Sequence, residues 1–440
     1  MIRKTWPLLL GLLAVWSSCI VIDNEYAVVA PGMWRAELRL DGIRTPLNKD
    51  ARPPEDGRII QFEEVAEGIL PFTFEVVYES DSAFYLNIHN GEERIRVDDI
   101  RYGRDRTNGN DTIYIDFPQY ESHIEAVVEA NIIEGRWVVR NRSDYSIPFV
   151  AKQGQDWRFT QLRKDPIIDL TGTWATTFGT DGDDPYPAIG EFQQDGNKLT
   201  GTFRTETGDY RYLDGTIQDN KLYLSTFDGS HAFLFEGKIL PDSTIIGSFR
   251  SGKHYRTTWE ARRDPGATLA DPDELTYLKE GVETFDFTFP DTEGEMVSLS
   301  DPQFRDKVKI VTIMGTWCPN CADETRFLTQ WLDDNPDKEV AVVSLAFEKH
   351  RDRDKAMAAI RRFKERFGVE YPVLLAGYSN KSEASEALPQ LNHVLSYPTM
   401  IIVDKAGEVQ RIHTGFNGPA TSKYAAFVED FDKTMAALTD

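Results

Sequence analysis

From about Tyr26 to Arg263, apolar residues recur in short alternating runs rich in Val, Ile, Phe, Tyr and Thr, with turn residues between them. That period-2 pattern predicts half-buried strands and no helix of useful length. Asp195-Gly196 and Asp214-Gly215 predict hairpin turns. Phe233-Leu234-Phe235 and Ile245-Ile246 read as buried strand centres. Gly32-Met33-Trp34, Gly135-Arg136-Trp137 and Gly172-Thr173-Trp174 form a weak internal echo. After Gly172 a spaced series continues: Gly201-Thr202-Phe203, Gly215-Thr216-Ile217, Gly237-Lys238-Ile239 and Gly247-Ser248-Phe249. Short strands at regular intervals predict an antiparallel all-β region, a meander closed into a sandwich or barrel. A break near Asp165-Pro166 divides it into two β-rich units, 19–165 and 166–263.

Residues 264–283, with Asp264-Pro265-Gly266 and Asp271-Pro272-Asp273, read as an exposed linker. From 284 to 440 the pattern changes to alternating strands and helices. Val308–Ile313 and Val340–Leu345 are runs suited to buried strands, and Tyr371–Leu375 a third. Helical spacing appears from Cys318 to about Leu332, with Phe327, Leu328, Trp331 and Leu332 on one face. It recurs at Asp354–Phe367, which Gly368 ends, at Ser382–Leu391, and at Ser422–Leu438. Thr399–Val403 and Glu408–His413 flank a turn and pair as a hairpin. This order predicts an α/β sheet layered by helices.

A chain of 440 residues has room for several such domains. Its net charge of −23 excludes a nucleic-acid partner, because phosphate binding needs basic patches. The acidity reads as solubility. At the N-terminus, Arg3 and Lys4 precede an apolar run, Pro7–Val15, then Ser17, Ser18 and Cys19. Residues 1–18 have the three parts of a secretory signal. They are too short for an ordinary membrane span, which needs ~20 apolar residues. Small residues before a cysteine resemble a bacterial lipoprotein signal, which implies lipid attachment at Cys19 and a membrane anchor. Trp16 departs from that pattern. An uncleaved anchor, Trp6–Ile22, or plain secretion are the alternatives. Each places the rest of the chain in the cell envelope or beyond, outside the cytoplasm.

The other two cysteines lie in Gly315-Thr316-Trp317-Cys318-Pro319-Asn320-Cys321, between a buried strand and a helix start. A Cys-x-x-Cys pair there forms and releases a disulfide with little backbone movement. The helix end offers free N–H groups and partial positive charge. The first thiol is therefore expected to titrate below its free value of about 8.5. Cys318 would attack a disulfide, and Cys321, one turn on and less exposed, would resolve the mixed disulfide.

Trp317 through Cys321 resembles the redox motif of thioredoxin-fold proteins, more narrowly the extracytoplasmic TlpA/ResA-type disulfide reductases. The resemblance covers about Phe285 to Leu438 and leaves the β region unexplained. It implies a thioredoxin-like fold and a protein-disulfide reductase needing no cofactor. It also implies disulfide-containing client proteins and a membrane-side electron donor. Pro398, in Tyr397-Pro398-Thr399, matches the cis-proline that such proteins place against the dithiol; alone, it would read as a strand-edge proline. Glu324, one turn after Cys321, matches an acid thought to manage protons at the second cysteine; in so acidic a chain it also reads as a solvated side chain. Thr312 stands where plain thioredoxins carry a buried acid. The stretch around Tyr371–Leu391 resembles the central insert of the TlpA/ResA type. His413 lies in a turn-rich, fold-closing stretch, where a role in partner binding is the other reading.

Three other readings compete. A metal site would draw on His350, His393 or His413, but none falls at a zinc spacing. A peroxide-reducing enzyme of the same fold would lack this adjacent pair. From another class, the protein would be an envelope lipoprotein that binds a ligand or protein, with its thioredoxin-like unit a scaffold.

Overall fold

The structure, a computed structural model, describes residues 29–40, 65–107 and 109–439. Cys19 and the whole N-terminal signal lie outside the described residues.

The first β unit is a nine-stranded antiparallel sheet between Gly32 and Gln153. Strict alternation builds it: in Phe84–Asn90 and in Asp111–Phe117 every second side chain faces the interior. The first strand, Gly32–Arg39, pairs with the last, Ser146–Gln153, in mid-sheet. The two edge strands, Glu93–Val97 and Ile100–Arg104, are consecutive in the chain, separated only by Asp98 and Asp99. So short a connection draws the edges together and curls the sheet around Trp34, Phe72, Phe74, Phe117 and Trp137.

The second unit closes completely. Gly172–Phe178 pairs with both Tyr186–Asp195 and Tyr255–Arg263. Tyr186–Asp195 also pairs with Lys198–Thr205, so eight antiparallel strands form a ring with no free edge. Aromatic rings fill it, among them Trp174, Phe178, Phe203, Phe235 and Trp259. The Gly-x-Trp echo has a physical counterpart. Trp34 and Trp174 each donate their indole N–H to the carbonyl four residues earlier, at 2.9 Å.

Asp214-Gly215 is not the turn the sequence suggested. Both lie inside the strand Leu213–Gln218. A Cβ on Gly215 would sit 1.8 Å from the Tyr223 carbonyl, so this glycine lets neighbouring strands approach rather than reverse the chain. The reversal comes later, at Asp219-Asn220.

The two β units share a core. The hairpin Lys221–Ile239 pushes its tip into the first sheet. Phe227 stacks on Phe72 with centroids 4.5 Å apart and meets Trp137 edge-on at 5.2 Å.

The C-terminal unit holds a five-stranded sheet ordered Val373–Tyr378, Val340–Glu348, Val308–Met314, Thr399–Val403, Val409–Thr414. The first three run parallel and the last two form an antiparallel hairpin. Helices Pro319–Asp334 and Tyr424–Thr439 cover one face through Phe327, Trp331, Phe427 and Phe431. Helix Arg353–Phe367 covers the other through Met357, Ile360 and Phe363. The segment read as an exposed linker, residues 264–283, is largely exposed and also touches this unit. Asp273 binds His413 at 2.6 Å and Arg411 at 2.9 Å, and Leu278 bridges to Leu391.

Candidate active site

The central strand Val308–Met314 runs out at Gly315, and the chain must turn before the next helix. Cys318 caps that helix: its Sγ accepts the Cys321 N–H at 3.3 Å, and Pro319 takes the first helical position, where no N–H is needed. Two anchors hold the turn. Glu348, at the end of the neighbouring strand, accepts the Thr316 N–H at 3.0 Å and the Thr316 hydroxyl at 2.8 Å. Trp317 donates its indole N–H to the Phe347 carbonyl at 3.0 Å and meets the Tyr397 ring edge-on.

Across the sheet end, the Tyr397–Pro398 peptide bond is cis. The Tyr397 carbonyl lies 3.4 Å from the Cys318 Sγ, within reach of the thiol hydrogen. Trp317, Cys318, Cys321, Glu324 and Pro398 thus come together at one end of the sheet. Both cysteines are free thiols. Burial pushes the Cys321 thiol well up, and the neighbouring Cys318 sulfur adds to the shift. Glu324 is 1% exposed, and its Oε1 has no partner among the described residues. Burial, reinforced by the Cys318 sulfur, holds its carboxyl well above the usual carboxylate range. Glu348 is pushed up to about 7, again by burial, against the two bonds from Thr316. His413 is buried and bound to Asp273, a structural position. Among the described residues, no group of three or more His, Cys, Asp or Glu is arranged to hold a metal ion.

The sequence reads Cys321 as the less exposed thiol, and the structure encloses both: Cys318 is 7% exposed and Cys321 0%. The barrel supplies the cover. Its Thr207–Arg211 turn lies between the Pro319-Asn320 corner and the proline loop. The Ser396 hydroxyl donates to the Thr207 carbonyl at 2.8 Å, Asn320 donates to the Asp209 carbonyl at 3.2 Å, and the Gly418 N–H donates to the Asp209 carboxylate at 2.7 Å. Gly208 has φ +135°, and a Cβ there would stand 2.2 Å from the Asn320 side-chain nitrogen; only glycine fits.

Arg211 locks this cover. It donates to Asp323 of the Cys-x-x-Cys helix, to Glu93 of the first sheet, and to the Pro319 carbonyl at 3.4 Å. Asp228 lies 3.5 Å away. Arg211, Asp323, Glu348 and the Thr207–Asp209 turn escaped the sequence reading. A lone arginine between strands carries no local signal; only Glu348, an acid closing an apolar strand run, left a trace.

The Redoxin family matches residues 279–428. The chain is 28% identical over 138 residues to the thioredoxin-like protein YneN of Bacillus subtilis, covering 31% of this chain and 73% of that protein. It is 23% identical over 142 residues to the thiol-disulfide oxidoreductase ResA of Halalkalibacterium halodurans, covering 32% and 72%. Among solved structures, a thiol:disulfide interchange protein of the thioredoxin family from Chlorobium tepidum aligns at 18% identity with a TM-score of 0.28, over 37% of this chain and 99% of that one. Residues 279–428 thus match the Redoxin family and form a thioredoxin-like domain, similar to the ResA-type thiol-disulfide oxidoreductases.

Proposed function

We propose that this protein is an extracytoplasmic reductase of protein disulfides, acting through Cys318 and Cys321 and held to a membrane by a lipid on Cys19. The observation that carries the reading is the seat of the Cys318 Sγ, at a helix start and against the carbonyl that precedes Pro398. The Cys318 thiolate attacks one sulfur of a client disulfide. The client S–S bond breaks, a mixed disulfide forms, and one client thiolate leaves. Cys321 then gives up its proton and attacks the Cys318 sulfur. The second client thiolate leaves and a Cys318–Cys321 disulfide remains, so two electrons have passed to the client.

Glu324 suits the proton step. While Cys318 carries charge, that charge and burial oppose ionisation of Glu324. The mixed disulfide removes the charge, which eases ionisation, and the carboxylate takes the Cys321 proton. A membrane-side donor restores the dithiol. The direction follows the resemblance to ResA-type reductases, and the envelope location follows the N-terminal signal.

Insulin reduction with dithiothreitol as donor tests the reading: wild type should accelerate it and Cys318→Ser should not. The burial of Cys318 favours the rival, an envelope binding protein with a redox-silent scaffold. Equal rates for the two proteins would decide for that rival.

A further inference from the structure

A small cleft lies where the three units meet, beside the Cys-x-x-Cys turn. Trp137, Arg142 and Tyr145 of the first sheet line it, with His254 of the barrel and Trp317 and Lys349 of the C-terminal domain. Its volume is about 30 Å³, more than a single water requires.

The cleft is rich in donors, and among its acceptors the Asn141 side-chain oxygen also has no partner among the described residues. Trp137 is 1% exposed, and its indole N–H has no acceptor among the described residues. Its counterparts Trp34 and Trp174 both satisfy theirs locally. A buried donor left unpaired is costly, and an acceptor in the cleft would recover that cost.

Charge points the same way. Arg142 lies over the Tyr145 ring at 5.1 Å, and the Lys349 ammonium over the Trp317 ring at 4.3 Å. Neither forms an ion pair among the described residues. Burial and the proximity of Arg142 bring Lys349 down to about 8, so it is still a cation at neutral pH. His254 is held neutral, pushed down to about 4 by burial and then by Arg142 and Lys349. The carboxylates that act on Lys349 are engaged elsewhere: Glu348 by Thr316, and Glu121 by His350 and Arg362. Two cations therefore share a half-closed cleft with no directly paired carboxylate among the described residues, Glu348 and Glu121 acting on Lys349 only from farther off, in a chain of net charge −23. Lys349 is also near enough to feel charge on Cys318.

We propose that this cleft is a subsite for one carboxylate of the client, the side chain of an Asp or Glu beside the disulfide being reduced. The client class is then an acidic, extended segment. This inference rests on the dithiol reading above and names what that dithiol selects.

The test uses three short peptide disulfides, identical except for Glu, Gln or Lys beside the cysteine, reduced by the full chain. Wild type should rank them Glu above Gln above Lys in kcat/KM, by roughly fivefold per step at low ionic strength and less at high salt. Lys349→Gln should flatten the ranking and Arg142→Glu should invert it. Equal rates in wild type, or a ranking that survives both substitutions, would overturn the subsite. Cys318-dependent reduction of all three at equal rates removes the subsite alone. A Gln peptide reduced no faster by wild type than by Cys318→Ser removes the dithiol reading and the subsite with it.

Discussion

Replacing Arg211 with alanine should open the dithiol. The guanidinium is 5% exposed and faces Asp228 at 2%, Asp323 at 14% and Glu93 at 15%. These carboxylates belong to all three units, so the arginine neutralises charge at the point where the units are joined. Removing one partner of a buried ion pair costs about 3–5 kcal/mol when the remaining charges stay unpaired; Asp323 keeps Arg326 and Asp228 keeps His231, so the lower end applies here. Most of that loss falls on docking, since Arg211 ties Asp323 and Glu93 to the barrel. At about 1.4 kcal/mol per factor of ten, states with the Thr207–Arg211 turn lifted should become roughly 100-fold more populated or more.

The assay is iodoacetamide trapping of the reduced protein, read by mass spectrometry at Cys318, beside a urea unfolding curve. Trapping at Cys318 should accelerate by about that factor while far-UV circular dichroism remains native. Arg211→Lys should fall between, because an ammonium cannot reproduce a planar fork that reaches Asp323 and Glu93 together. An unchanged trapping rate with an unchanged urea midpoint would rule out Arg211 as the lock, as would trapping that rises only in step with global unfolding.

Three further outcomes are expected. A carboxyl raised on folding supports the fold at low pH and loses that support as pH rises from its ordinary range through its folded value. Glu324 is such a group, so Glu324→Gln should match wild type in thermal melts near pH 4, exceed it at pH 8, and slow disulfide turnover. Glu348, raised to about 7, should cost wild type roughly 3 kcal/mol between pH ~4.5 and 7; urea unfolding of Glu348→Gln across that window should lack this decline. Phe227, fully buried between Phe72 and Trp137, should cost about 3–5 kcal/mol when cut to alanine, and proteolysis between the β units should quicken at the same time.

Much of the C-terminal domain was legible because its signals are local. The apolar run Val308–Met314, the Cys-x-x-Cys turn and the helical spacing of Phe327, Leu328 and Trp331 each declare themselves within about a dozen residues. Strand ends were less clear: Val340–Glu348 runs three residues past the expected end at Leu345 and closes on a buried acid. In the β region, alternation showed the strands but misread Asp214-Gly215, since the same dipeptide serves a turn or a close strand approach. Sandwich and barrel also share one alternation pattern, and only the pairing of Tyr186–Asp195 with two neighbours decides for closure.

Local sequence alone marks the residues proposed for redox chemistry and the kind of element each sits on, because helix caps, strand period and the Cys-x-x-Cys spacing are properties of neighbouring residues. Tertiary structure alone decided who may reach that chemistry. The turn that covers Cys318 lies over a hundred residues upstream, and Arg211 finds Glu93 and Asp323 from opposite directions along the chain. Such placements, including Trp137 and Lys349 on one cleft, follow from sheet closure and docking, which depend on the summed burial of many side chains, and no single stretch of chain encodes them.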